Sequence, residues 1–174
     1  MDATLIAALL AAATAVLSVG SSSIAGSSAA PGRPAPAHGY VWPLDPQPEV
    51  VRAFEPPPLP WSPGHRGVDL RGHPGQVVRS AGAGRVVYSG VIAGRGVVSV
   101  EHSGGWRTTY EPLDSRVNVG TTLAAGSTIG HLATSGSHCA PGACLHWGLL
   151  TAPDTYRDPL QLLGARRPVL LPLG

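Results

Sequence analysis

From Trp42 onward the hydrophobic positions come in short runs broken by glycine, and hardly a window of eleven residues carries an uninterrupted helical period. Residues 76–78, 84–89, 96–102, 106–110, 117–123, 128–132 and 145–150 are the predicted strands. Arg85-Val86-Val87-Tyr88 and Val97-Val98-Ser99-Val100 hold the β-branched and aromatic side chains that pack on pleated surfaces. Gly90, Gly94, Gly96, Gly104 and Gly105 supply the turns between runs. Only residues 158–163 suit a helical turn, with Asp158 as its N-cap and Pro159 at its first position. The pattern predicts an all-β domain.

The N-terminus is patterned differently. Residues 4–19 form an Ala/Leu-rich run, short for a membrane span of roughly 20 residues and suited to a signal-peptide core. Ser23-Ile24-Ala25 and Ala35-Pro36-Ala37 offer small residues for cleavage, although Asp2 stands where a positive segment is expected. Residues 1–25 therefore read as a signal peptide or N-terminal anchor, 26–38 as a flexible linker, 39–164 as the domain and 165–174 as a tail. The expected location is extracytoplasmic, secreted or in the cell envelope. Membrane contact is expected only through an uncleaved first segment.

Composition narrows the function classes. The chain has 174 residues with 12 basic and 10 acidic side chains; every basic one is Arg, and only 13% of residues are charged. No polybasic surface for nucleic acid is present in such a sequence. Gly 23 and Pro 18 beside 43% apolar residues exclude both a long helical bundle and wholesale disorder.

Two short segments carry candidate chemistry. His65-Arg66-Gly67-Val68-Asp69 sets an imidazole and a carboxylate four residues apart. On an extended strand they stand about 13 Å apart, too far for one ion, and Pro63, Gly64 and Gly67 argue against a helix. A curled, glycine-hinged loop brings them together. In Cys144-Leu145-His146, side chains two apart share one strand face. His, Asp and His make a three-ligand zinc set with a position left for water, the alternative being ordinary surface or core histidines. Cys139 and Cys144 flank a Pro141-Gly142 turn, so a disulfide is expected in an oxidising compartment, with buried free thiols as the alternative.

In order along the chain, Trp42-Pro43-Leu44, His65-Arg66-Gly67-Val68-Asp69-Leu70, the run from Val77 to Gly84, the run from Gly94 to His102, Tyr110, Val119-Gly120, Ala125-Gly126, Ile129-Gly130 and Leu145-His146-Trp147 resemble the lysostaphin/LytM-type zinc metallopeptidases, the secreted peptidoglycan endopeptidases. The resemblance implies compact antiparallel sheets of the duplicated-hybrid-motif type and a groove for an extended peptide. It also implies Zn2+ held by His65, Asp69 and His146. It departs from the family at two positions: Cys144 replaces the first His of the family's His-x-His, and Pro112 replaces the His after Tyr110-Glu111. In relatives both imidazoles sit around the metal-bound water, where acid–base help is typically worth about 10²- to 10⁴-fold in rate.

Three readings follow from those departures. In the first, a peptidase acts on peptidoglycan cross-links with His138, Tyr110 or Glu111 replacing the lost imidazoles. In the second, a degenerate domain binds cell-wall peptide or activates a partner hydrolase, gripping through Arg66, Trp106, Arg107 and Trp147, because Arg pairs with carboxylates and aromatics give rigid contact area. In the third, a free Cys144 thiolate closes a structural His-Asp-Cys-His site. His73, His102 and His131 are expected at turns and on the surface.

Overall fold

The computed structural model describes residues 39–59 and 61–164. The readings of 1–25, 26–38 and 165–174 lie outside the described residues. Among the described residues, no helix is long and apolar enough to cross a membrane.

The regular secondary structure of the described chain is almost entirely strand: β1 (Val50–Arg52), β2 (Gly67–Gly72), β3 (Val77–Arg79), β4 (Gly84–Ile92), β5 (Arg95–Glu101), β6 (Arg107–Glu111), β7 (Leu113–Asp114), β8 (Thr122–Leu123), β9 (Thr128–Leu132), β10 (Ala143–Ala152) and β11 (Thr155–Arg157). One 3-10 helix, Pro159–Leu163, follows. Its N-cap Asp158 accepts from the Leu160 amide, as the Asp-Pro pair predicts. The large sheet runs β1-β2-β10-β6-β5-β4-β8, with β11 added to β10, and a smaller sheet runs β3-β9-β7. Each of these strand pairs is antiparallel, so the all-β expectation holds.

Local chemistry explains the hairpin that joins β4 to β5. Ala93 and Gly94 both have positive φ, 48° and 79°, which is the two-residue loop whose twist matches its flanking strands. Alternation then divides the large sheet into two faces. Val68 and Leu70 on β2, Leu145, Trp147 and Leu149 on β10, Tyr110 on β6, and Val98 and Val100 on β5 are all buried in one core. The residues between them, Asp69, His146 and Glu111, therefore share the opposite face.

Several expectations change. Predicted strand 117–123 contracts to Thr122–Leu123 because Asn118 to Thr121 make a turn, with Gly120 at φ 88° and the Thr121 amide donating to the Asn118 carbonyl. Residues 50–52, 67–72 and 155–157, not predicted as strands, pair with partners distant in sequence or across a register shift. His102, expected at the surface, is 4% exposed because its ring fills the space beside Tyr40 and joins the Thr108 and Tyr110 hydroxyls.

Candidate metal centre

Strand register assembles the first part of the site. Asp69 on β2 lies opposite His146 on β10, and Glu111 on β6 lies opposite His146 on the other side. One row of three neighbouring strands thus presents carboxylate, imidazole and carboxylate on the face away from the core. The ring of His146 rests over Gly67, where an added Cβ would overlap the Trp147 carbonyl and the imidazole itself. Glycine is required there by close approach.

His65 stands just ahead of β2, where its backbone exchanges two hydrogen bonds with Glu55 at 2.8 and 3.0 Å. The extended geometry that would separate His65 from Asp69 begins only at Gly67, and the two side chains meet at 3.1 Å. The His65 Nδ1–H donates to the Ala53 carbonyl at 2.7 Å, which turns Nε2 toward the cluster. Nε2 lies 3.0 Å from His146 Nδ1, and His146 Nδ1 lies 2.9 Å from Asp69 Oδ1.

These three atoms form a nearly equilateral triangle of possible ligand atoms. Asp69 is 1% exposed. Burial pushes its carboxyl up, but the hydrogen bond from His146 and the surrounding imidazoles of His65, His146 and His138 outweigh this and bring it down to about 2. A buried carboxylate converging with two imidazole nitrogens is a donor set for a divalent cation, and the triangle's edges suit bonds of roughly 2.0–2.2 Å to zinc.

A fourth group comes from a loop. His138 Nδ1 is 3.1 Å from both Asp69 oxygens, and among the described residues His65, Asp69, His138 and His146 form one group able to hold a metal. Cys139, next in sequence, is disulfide-bonded to Cys144 with Cα atoms 5.7 Å apart. Ser137, buried beneath this loop, accepts from the Cys139 and Cys144 amides at 3.1 and 3.0 Å. Neither Cys is a free thiolate, which removes the closed His-Asp-Cys-His reading.

The other sequence candidates divide. Glu111 faces the site and pairs with Arg95 at 3.4 Å, and Arg95 lies against Gly136 of the His138 loop. Tyr110 and Trp147 are corrected: both are 0% exposed and point into the core, opposite the site, so neither touches a ligand in the cleft. The Tyr110 hydroxyl is occupied by the Ala81 amide and Thr108, and burial raises its pKa. Arg107 pairs with Leu150, four residues along β10 from His146, about 13 Å away, and the half-exposed Trp106 precedes it. These two are not brought to the cluster. The Arg66 guanidinium lies 5.7 Å from the Tyr156 ring, at a pocket of about 210 Å³ walled by Pro56, Pro57 and Pro58. Pro112, a residue without a titratable group, offers its carbonyl to the Ala133 amide.

Sequence reasoning did not single out Ser137 or Arg95. A lone Ser before His138-Cys139 and a lone Arg in Gly94-Arg95-Gly96 carry no signal of their own, since both act through contacts across the fold.

Residues 63–159 match peptidase family M23. A protein of Mycobacterium tuberculosis, described only as uncharacterized, is 49% identical over 147 residues, covering 80% of this chain and 59% of its own length. Among solved structures, a peptidase M23 from Pseudomonas aeruginosa superposes with a TM-score of 0.57 at 25% identity, over 79% of this chain and 55% of that one. The catalytic domain of lysostaphin from Staphylococcus simulans shares the fold, with a TM-score of 0.58 at 24% identity over 68% of this chain and 93% of its own.

Proposed function

The chain belongs to peptidase family M23, and from that premise we propose that it is an extracytoplasmic zinc metallopeptidase that hydrolyses peptide bonds in peptidoglycan cross-links. The observation that carries this reading is the convergence of His65 Nε2, Asp69 Oδ1 and His146 Nδ1 within 2.9–3.1 Å of one another. His65, Asp69 and His146 would hold the zinc, which when bound would supply Lewis-acid chemistry toward water and a peptide carbonyl. The chain's own residues supply the rest. Ala53 fixes the His65 tautomer, Asp69 and His146 set each other's orientation, and Glu111, aligned by Arg95, is the acid–base group left on the site face. Arg66 beside its proline-walled pocket is suited to a substrate carboxylate. The apolar run at 4–19 supports export, which gives access to the wall.

One observation favours a second reading, a non-cutting domain that binds wall peptide or activates a partner hydrolase. With Pro112 inert and Tyr110 turned into the core, fewer proton-handling groups face the metal than in a full complement. The test is release of new amino groups from purified peptidoglycan by zinc-loaded protein, compared with His65→Ala and Asp69→Ala. Release well above both variants is expected, and Glu111→Gln is expected to lower it by about 10²-fold or more. Equal release from wild type, His65→Ala and Asp69→Ala would remove the peptidase reading and leave the binding one.

A further inference from the structure

The Cys139–Cys144 disulfide bridges the strand that carries His146 to the loop that carries His138. Cys144 pairs with Arg71 on β2, two residues from the Asp69–His146 pair, so the bond starts from the rigid floor of the site. Its other end is the residue next to His138. Between them Ser137 gathers two amides with one buried hydroxyl and contacts Cys144 Sγ at 3.6 Å. The loop therefore has little freedom at the point where His138 emerges. Closing so short a ring removes little entropy from the unfolded chain, which leaves local positioning as the bond's main effect.

The imidazole that emerges packs edge-on against the His146 ring, centroids 5.1 Å apart, and its hydrogen bonds go to Asp69. Its Nδ1 is equidistant, at 3.1 Å, from both oxygens of Asp69, whereas the triangle of His65, Asp69 and His146 closes through Oδ1 alone. An ionised carboxylate only accepts, so His138 Nδ1–H donates and the ring orients Asp69 from outside the triangle. His138 is also the most open of the four, 33% exposed against 2–13% for the others, as befits a group outside the cation's immediate ring.

We propose that the disulfide is a positioning tether that docks His138 on Asp69, making this loop imidazole the outer hydrogen-bond donor that fixes the metal's carboxylate ligand. Cys139, Cys144 and Ser137 are positioning residues, and His138 acts through Asp69. The inference rests on the zinc reading above. Outer partners of this kind typically change metal affinity about 10- to 100-fold.

Zinc affinity measured by chelator competition on the full chain tests it. His138→Ala is expected to weaken zinc by about 10- to 100-fold. His138→Asn, whose amide nitrogen reproduces the Nδ1 donor, is expected to recover most of that loss. Cys139→Ser/Cys144→Ser is expected to weaken zinc as His138→Ala does, and combining all three changes is expected to add nothing further. Amide exchange across residues 136–142 of the metal-free chain gives a reading independent of zinc, with faster exchange expected in the double serine variant and β2 and the body of β10 from Leu145 unchanged. Zinc binding that is lost in His65→Ala but within about twofold of wild type in His138→Ala overturns the donor role while sparing the metal site. Additive losses, or unchanged loop exchange, overturn the tether. Wild-type protein that takes up no zinc overturns the metal reading and this one with it.

Discussion

A neutral imidazole is what the surroundings of His102 accommodate. Its Nδ1–H donates to the Ala83 carbonyl at 2.8 Å, and Nε2 accepts from Thr108 Oγ1 at 2.7 Å. Thr108 Oγ1 in turn accepts from the Tyr110 hydroxyl, which accepts from the Ala81 amide. The chain of donors runs one way and is satisfied at each step, the condition under which a buried polar network stabilises. Burial lowers the His102 pKa from its ordinary 6.5, against a smaller upward pull from the Ala83 carbonyl. A base whose folded value is depressed contributes stability in full above the unfolded value, and loses it as pH falls through the folded one. Metal-free protein is therefore expected to melt progressively lower below about pH 6.5, with part of that slope absent in His102→Gln. At pH 8, His102→Gln is expected to cost about 1–3 kcal/mol by leaving Thr108 and Ala83 poorly paired. Parallel melting curves from pH 8 to 5 for the two proteins would count against the network.

Glycine at the level of a strand pair decides whether the site forms. β2 and β10 bring Gly67 opposite Gly148, and the open space above Gly67 is where the His146 ring lies. Gly67→Ala is expected to displace that ring from Asp69, lowering zinc affinity by at least about 10-fold while the sheet retains its circular dichroism. Unchanged affinity would show that the ring has another place to go.

This pairing also marks the limit of what was legible. Residues 128–132 announced their strand by local composition, and Asp158-Pro159 announced its helical turn. Strand β2 did not, because Gly67 and Gly72 bound it and its stability comes from β10, more than 70 residues later. The proposed ligands His65, Asp69 and His146 were readable as residue types at suggestive spacings, but which His65 nitrogen faces inward is settled by the Ala53 carbonyl, which no spacing reveals. Trp147 was misplaced although a signal existed. Leu145, Trp147 and Leu149 alternate with His146, so a His aimed at the cleft already required Trp147 to face the core.

At the scale of the molecule, the proposed ion is a cross-link. His65 and His146 are 81 residues apart, and Asp69 and His146 are 77 apart, so a cation on these groups ties the segment before β2 to a central strand of the large sheet. The unfolded chain holds no such preformed set, so affinity for the folded state adds directly to stability. Free zinc at 100 times its dissociation constant adds about 2.7 kcal/mol. For a β domain of this size that corresponds to a rise in melting temperature of the order of 10 °C. Chelator-stripped protein is therefore expected to remain folded, because the core from Val68 to Leu162 does not involve the metal, yet to melt that much lower than the loaded form. His65→Ala and Asp69→Ala are expected to melt at one temperature with and without zinc. The shift is also expected to shrink in acid, since zinc binding requires deprotonated ligands. A stripped protein that melts with the loaded one, at a zinc concentration shown to saturate the wild type, would mean that the ion binds folded and unfolded chains alike, and would dissolve the cross-link argument.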